Sequence, residues 1–179
     1  LVLARSFLDA WQARHPEAEV ETVEPEALLA LKPFAPEMLN DRDALAGIRC
    51  FDAPVFDLAC QFRAADRVVV AAPFWDLTFP AALKVYLEWA SILGVTFRYT
   101  QEGEQVGMSR AGELVFITTA GGPLEGQNYG FDYLKGLAAM FGIPSARCLS
   151  AQELDIQGND PEAILREAQE RAAALAAEL

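Results

Sequence analysis

Apolar and polar positions along this chain form blocks that predict strands separated by helices. Residues 67–72 contain three consecutive valines in an apolar run, which is typical of a strand buried on both faces. A second apolar run at 114–119 predicts another buried strand, and 147–150 is expected to form a further one. Strands alternating with helices of ten or more residues indicate βαβ units. We therefore predict an α/β protein with a doubly wound, largely parallel sheet and helices on both faces.

Apolar residues at helical spacing predict five helices around these strands. They span residues 4–14, 51–65, 80–93, 131–141 and 160–179. Pro80 suits a first helical turn and Gly142 suits a C-terminal cap. Residues 19–23 alternate in polarity and predict a short outer strand. Residues 24–49 are rich in proline and predict a long excursion with one helical turn, of the length expected for a lid or a dimer arm.

Length, charge and cysteine content limit the class of protein. The 179 residues predict one domain spanning 1–179. A net charge of −12 disfavours nucleic acid and anionic membranes as partners. No apolar run approaches the roughly 20 residues of a membrane span, and no signal-peptide pattern opens the chain, so we expect a cytoplasmic protein. Cys50, Cys60 and Cys148 lack CxxC spacing and are expected to be reduced thiols.

Few side chains offer acid–base or metal chemistry. His15 is the only histidine and lies at a predicted helix end before Pro16, which disfavours a Ser-His-Asp triad or a histidine metal centre. There is no Walker loop, GxGxxG motif or CxxC pair. We therefore expect no catalytic side chain and no metal, and a reaction carried by a bound cofactor.

Two loops that follow the two buried strands are the candidate site, because ligands of open parallel sheets bind outside the carboxyl ends of the strands. The first loop has proline and bare aromatic residues from Pro73 onward, and the second contains Gly121 and Gly122, which let backbone N–H groups approach a ligand closely. Two such loops suggest a flat ligand. Stacking faces are offered by Phe74, Trp75, Phe79, Phe97 and Tyr129. A role in the core or an interface is an equal alternative for Trp75 and Gly121, and the favoured one for Phe97, Tyr99 and Tyr129.

The start of the sequence differs from that of a phosphate-binding doubly wound sheet, which opens with a strand and a Gly- or Ser-rich loop that feeds a helix. Here Leu1-Val2-Leu3 leads at once into a predicted helix. Either the sequence is truncated, or a loop between Leu3 and Ala4 is missing from it. We favour the second alternative and expect residues 1–3 to be the tail of the central strand, with the first strand and phosphate loop otherwise missing.

Several segments resemble one known family. Residues 72–77 (Ala-Pro-Phe-Trp-Asp-Leu), 83–86 (Leu-Lys-Val-Tyr) and 94–100 (Gly-Val-Thr-Phe-Arg-Tyr-Thr) resemble the FMN-dependent NADH:quinone reductases and azoreductases, and 117–122 is similar to their second flavin loop. The resemblance covers most of 67–143 and implies a flavodoxin-like fold and a homodimer with FMN near the subunit interface. It also implies ping-pong electron transfer from NADH or NADPH through FMN to a quinone, an azo compound or a similar flat aromatic acceptor.

The resemblance also implies which residues bind the cofactor. Pro73, Phe74, Trp75, Asp76 and Leu77 are expected to pack against or hydrogen-bond the flavin ring. Thr119, Ala120, Gly121 and Gly122 are expected to contact its polar edge. Tyr129 completes the set of candidate cofactor-binding residues.

Two residues depart from the family pattern, and two other functions stay open. Asp76 stands where asparagine is common, and an ionised carboxylate there would disfavour the anionic reduced flavin and lower its potential. Ala120 replaces a larger residue, which would open the substrate side. One alternative is a flavodoxin-like electron carrier or FMN-binding module without turnover of its own. The other is a dimeric scaffold that no longer binds flavin.

Overall fold

The computed structural model describes residues 2–179. Its helices are α1 (Val2–Arg14), α2 (Pro25–Ala30), α3 (Pro36–Gly47), α4 (Asp57–Ala64), α5 (Ala81–Ala90), α6 (Tyr129–Phe141) and α7 (Pro161–Ala177). Its strands are β1 (Arg67–Ala71), β2 (Phe97–Tyr99), β3 (Gln105–Gly107), β4 (Glu113–Thr119) and β5 (Ala146–Ala151). Strands β1, β4 and β5 form a parallel sheet in that order, with Val69 opposite Val115 and Phe116 opposite Cys148. The predicted parallel α/β architecture is confirmed.

The central strand β4 divides the hydrophobic core into two layers, because successive side chains of a strand point to opposite faces. Val115 and Ile117 pack in a cluster with α1 and α7, whereas Leu114 and Phe116 pack in a cluster with α5 and α6. Helices thus cover both faces of the sheet. The two candidate loops follow the carboxyl ends of β1 and β4 at one edge of that sheet.

The first strand is less buried than its sequence predicted. Val68 and Val69 are only half-buried, and within residues 2–179 no strand pairs with the edge of β1 that faces away from β4. Both faces of β1 are nevertheless covered as predicted, since Val68 packs in the cluster with α5 and α6 and Val69 in the cluster with α1 and α7, so the incomplete burial arises at the open edge.

The prediction that residues 1–3 form the tail of a strand is wrong at two of the three positions. Val2 and Leu3 begin α1, and Leu3 is buried beside Phe7 in the core under β4, so they do not form a strand tail. Leu1 lies outside the described residues. Residues 19–23 have no strand pairing, which contradicts the predicted outer strand.

The excursion at 24–49 contains two helices, where one turn was predicted. Neither α2 nor α3 contains a buried residue, so no apolar periodicity marked them in the sequence. A stack of side chains anchors the segment to α5. The ring of Phe34 lies 4.4 Å from that of Trp89, the Arg42 guanidinium lies 4.9 Å from the Phe34 ring, and Trp89 Nε1 donates to the Lys32 carbonyl at 2.9 Å.

The string Gly-Val-Thr-Phe at 94–97 lies in the connection between α5 and the β2–β3 hairpin and ends at the first residue of β2. The Thr96 hydroxyl, which is fully buried, donates to the Ala90 carbonyl at 2.8 Å and accepts from the Ile92 N–H at 3.1 Å. Gly94 has φ +86°, a conformation that glycine adopts without strain. In this part of the family resemblance, Gly94 and Thr96 thus stabilise the connection between α5 and β2.

Two further features concern the chain as a whole. Cys50, Cys60 and Cys148 are free thiols in the structure. Within residues 2–179, no helix has both the length and the apolarity needed to cross a membrane.

Candidate functional site

The two candidate loops lie side by side at the carboxyl ends of β1 and β4. The Ala72 N–H donates to the Ile117 carbonyl at 3.1 Å, and the Phe74 N–H donates to the Thr119 carbonyl at 2.9 Å. These bonds extend the parallel pairing beyond the last residue of β1. The predicted adjacency of the first loop (residues 72–80) and the second loop (residues 119–128) follows from this register.

The first loop contains a tight two-residue turn. Trp75 and Thr78 exchange two backbone hydrogen bonds of 2.9 Å, and the residues between them have positive φ, 47° at Asp76 and 69° at Leu77. Two central residues with positive φ define a type I′ turn, which favours Asn-Gly or Asp-Gly. Aspartate tolerates this conformation, but leucine has a cost of about 1–2 kcal/mol. Leu77 is therefore held in a strained backbone conformation.

Helix α6 holds this turn in place. The Tyr129 N–H donates to the Leu77 carbonyl at 3.1 Å. A Cβ atom on Gly130 would lie 3.0 Å from the Phe79 ring and 3.2 Å from the Thr78 Cα atom, so the first turn of the helix packs directly on the loop. Strained turns persist where the surroundings over-determine them, and they concentrate at functional sites.

The apolar candidates separate into exposed rim residues and residues of the core. Trp75, Leu77 and Tyr129 are 60%, 44% and 55% exposed. Phe79 is buried and packs edge-on against Phe116. Phe97 is half-buried and stacks on Phe141, so the favoured core interpretation is confirmed for Phe97.

Tyr129 is too exposed for a core role, so of the favoured alternatives only an interface role stays a prediction for it. Trp75, Leu77 and Tyr129 are thus linked through the turn and form an exposed apolar rim. Phe74 is half-buried beside them, whereas Pro73 is exposed.

The second loop has paired carbonyl groups and unpaired N–H groups. The carbonyl oxygens of Ala120, Gly121 and Gly122 accept hydrogen bonds from the backbone of residues 153–155, at 3.2, 3.0 and 3.2 Å. Across residues 2–179, the N–H groups of Gly121 and Gly122 donate to no protein acceptor. Such groups require partners when they leave water, so this loop offers two adjacent donors to a ligand.

The two glycines have different surroundings. A Cβ atom on Gly121 would lie 2.1 Å from Asp155 Oδ2, whereas one on Gly122 would meet nothing within 4 Å. A side chain at 121 would therefore displace the Asp155 carboxylate, whereas one at 122 would meet no protein atom. Sequence reasoning missed Asp155, which lies 34 positions later in the chain (155 − 121). The only available signal was that the loop after β5 must reach the same edge of the sheet.

A cavity of about 230 Å³ lies between the first turn of α1 and the ends of β1 and β4. It is lined by Leu3, Ala4, Ala71, Ala72, Pro73, Ile117, Thr118 and Thr119. The Thr118 hydroxyl is buried, and no residue among 2–179 hydrogen-bonds to it. Buried polar groups without a partner are rare. The first N–H groups of α1 are free of intrahelical bonds and carry the positive end of the helix dipole.

A second cavity, of about 390 Å³, lies on the far side of the second loop. It is lined by Pro123, Glu125, Ser150, Gln152, Glu153, Ile164 and Arg171. The Gln152 side chain accepts from the Leu124 N–H at 2.7 Å, and Arg171 donates to the Ser150 carbonyl at 2.8 Å. These polar groups are already paired within the chain.

Cys148 supports the end of the second loop and is not a reactive thiol. Its sulfur accepts a hydrogen bond of 3.6 Å from Asn128, whose Oδ1 caps α6 by accepting from the Phe131 N–H. Burial raises the pKa of Cys148 to about 11, which keeps the thiol protonated at neutral pH. Within residues 2–179, no cluster of histidine, cysteine and carboxylate side chains has the geometry of a metal site.

Comparison with known proteins identifies the family. The family model described as a flavodoxin-like fold matches residues 2–176. The FMN-dependent NADH:quinone oxidoreductase of Clostridium beijerinckii is 34% identical over 171 residues, which are 93% of this chain and 84% of that protein. The protein of the same name from Coprothermobacter proteolyticus is 31% identical over 97% of this chain and 88% of its own.

A solved structure agrees with these relatives. The azoreductase from Bacillus anthracis str. Sterne superposes with a TM-score of 0.84 at 25% identity, and the match covers 99% of this chain and 90% of that one. The chain belongs to the flavodoxin-like family that includes these NADH:quinone oxidoreductases and azoreductases.

Proposed function

We propose that this protein is an FMN-dependent oxidoreductase that passes electrons from NADH to quinones, azo compounds or similar flat acceptors. The names of the relatives supply the cofactor and donor. The observation on this chain that carries the proposal is the pair of unpaired N–H groups at Gly121 and Gly122 beside the apolar turn at Trp75 and Leu77. A flat ring with a polar edge fits that pair of surfaces.

The first loop would pack against the ring, and the second would hydrogen-bond its edge. The fixed turn places Trp75 and Leu77 without further ordering, which lowers the entropic cost of binding. The amide donors of Gly121 and Gly122 suit carbonyl and ring-nitrogen acceptors. Residues Pro73, Phe74 and Asp76 complete the first loop, and Thr119 and Ala120 complete the second.

The cavity at α1 fits the polar chain that FMN carries. Pro73 and Thr119 line both this cavity and the candidate loops, so one ligand can extend from the loops into it. A helix N-terminus attracts a phosphate group. The unpaired Thr118 hydroxyl at the cavity wall offers a further hydrogen bond to a polyol.

Bound FMN supplies hydride acceptance and donation, and the chain supplies placement and exclusion of water. No side chain is required as a general acid or base, in keeping with the position of His15, whose ring lies 4.8 Å from that of Trp11. A ping-pong sequence, in which donor and acceptor use one cleft in turn, is part of the proposal.

A second copy of the chain would complete the site. Trp75, Leu77 and Tyr129 leave an apolar rim exposed to water, and exposed apolar surface of this kind is typical of an interaction surface. We therefore include a homodimer in the proposal. A cytoplasmic location is a separate part of it.

A matched pair of variants tests the proposed function. FMN is titrated into wild type, Gly122→Val and Gly112→Val, and binding is followed by flavin fluorescence. Neither glycine has an atom within 4 Å of an added Cβ, so both variants are expected to fold, but Gly112 precedes β4 at the opposite edge of the sheet. We expect Gly122→Val alone to lose more than about tenfold in FMN affinity, or 1.4 kcal/mol.

The bound flavin should then bleach when NADH is added and recover with a quinone. Absence of FMN binding by the wild type would contradict the proposal and leave the scaffold alternative. Binding without bleaching would favour the electron carrier.

A further inference from the structure

The segment that follows β5 places a carboxylate against the second loop. Backbone bonds from residues 153–155 to the carbonyl groups of Ala120, Gly121 and Gly122 fix this segment. The Asp155 side chain then occupies the space above the Gly121 α-carbon, since an added Cβ there would lie 2.1 Å from Oδ2 and 2.9 Å from the carboxylate carbon. Asp155 is thus held against the residue whose N–H we assign to the ring edge.

No cation neutralises this charge. Within residues 2–179, Asp155 takes part in no ion pair. The segments that form the rim of the site, 72–80, 119–129 and 152–160, contain no lysine or arginine. Nor does any side chain among residues 2–179 donate a hydrogen bond to the Asp155 carboxylate.

We infer that Asp155 lowers the midpoint potential of FMN bound at this site, an inference that rests on the proposed function. Reduction adds two electrons and one proton to the ring as a hydride and leaves a negative charge near its polar edge at neutral pH. A like charge nearby disfavours that state, and charge near the ring nitrogens is one means by which proteins tune flavins. Asp155 acts through its position at Gly121 and transfers no proton.

A lower potential bears on the class of acceptor. The protein would bind oxidised FMN more tightly than reduced FMN and would make the reduced ring a stronger donor. Acceptors of low potential, such as azo bonds, would gain more from this than quinones, which are reduced readily at higher potential. The site would thereby be adapted to the more difficult acceptor.

The test compares Asp155→Asn with Glu153→Gln. Both remove one exposed carboxylate from the same segment, but Glu153 lines the second cavity, whereas Asp155 lies against Gly121. The measured quantity is the dissociation constant of oxidised FMN divided by that of reduced FMN. This ratio is obtained from the midpoint potentials of free and bound flavin. We expect this ratio to rise about tenfold in Asp155→Asn, or about 30 mV for a two-electron couple, and to change less than about twofold in Glu153→Gln.

Equal shifts in both variants, or no shift in Asp155→Asn, would overturn the inference while FMN binding by the wild type still supports the proposed function. Failure of the wild type to bind FMN would refute both. Unchanged affinity of Asp155→Asn for oxidised FMN, within about threefold, is the expected sign that the loop is intact.

Discussion

The two loops of the candidate site are held by opposite means. The first loop closes on itself in a type I′ turn, leaves Leu77 in a strained conformation and exposes apolar side chains. The second loop has positive φ only at a glycine, Gly126, relies on residues 153–155 for support and exposes backbone donors. One loop thus offers surface to a ring, and the other offers hydrogen bonds to its edge.

The first loop thus determines the shape of the site, and the second loop determines its hydrogen bonding. Changes in the first loop should alter packing and strain with little effect on the second. Changes in the second loop should act through its support or its donors. The variants below are designed to break or sharpen this division, from the largest expected effect to the smallest.

Gly121→Val should have the largest effect, because its Cβ would overlap Asp155 Oδ2, displace that carboxylate and press against the Asp155 Cβ atom. We expect a loss of about 1–3 kcal/mol in the free energy of unfolding, as for other overpacked sites, and weaker FMN binding. Urea unfolding of the FMN-free protein measures the first effect. Gly122→Val is the control and should unfold like wild type; equal destabilisation of the two would show that the loop is not supported as described.

Alkaline pH should loosen the end of the second loop. Burial raises the pKa of Cys148 to about 11 from its ordinary value of 9.0. Below pH 9 the thiol is protonated in both states and its contribution is intact. Between pH 9 and 11 only the unfolded state ionises, so stability falls by about 1–2 kcal/mol.

Cys148→Ala should remove this part of the alkaline loss, whereas Cys50→Ala, at an exposed thiol, should keep it. Unfolding at pH 8, 9.5 and 11 provides the measurement. Burial also raises the pKa of Tyr86 to about 12, and that contribution is common to all three proteins. An unchanged pH slope in Cys148→Ala would refute the assignment.

Leu77→Gly should stabilise the protein by about 0.5–1 kcal/mol, because glycine adopts positive φ without the steric cost of leucine. Leu93→Gly is the matched control, since Leu93 is similarly exposed but has no positive φ. We expect it to destabilise. Thermal unfolding of both variants gives the comparison. If Leu77→Gly lowered the melting temperature as much as the control, the turn would not be strained.

Asp76→Asn should have the smallest effect on stability, within about 0.5 kcal/mol, because asparagine also tolerates the left-handed region. If Asp76 lies near the ring as proposed, the ratio of oxidised to reduced FMN dissociation constants should rise about threefold, less than for Asp155→Asn. Potentiometric titration resolves the two. A larger change in this ratio for Asp76→Asn than for Asp155→Asn would show that the first loop, and not the second, lies nearer the edge of the ring that becomes negative.

Local sequence signals predicted much of the fold and the adjacency of the two candidate loops. The apolar run at 114–119, which forms most of β4, and the glycines after it could be interpreted correctly because continuous apolar runs and glycine are compatible with few local structures. The helices at 25–30 and 36–47 were not, since neither buries a side chain. The type I′ turn was hidden because Leu77 is a poor residue for it, and such conflicts concentrate at functional sites. Asp155 was hidden because its contact with Gly121 depends on the sheet and not on local sequence.

The central claim is that the two loops bind the flavin ring, and amide chemical shifts of ¹⁵N-labelled protein during FMN titration test it most directly. The largest shifts should occur at the backbone N–H groups of Gly121 and Gly122 and at the indole N–H of Trp75, because these groups are proposed to lie against the ligand. Shifts centred on Glu125, Gln152 and Arg171, with both glycines unmoved, would place the ligand in the second cavity and contradict the account.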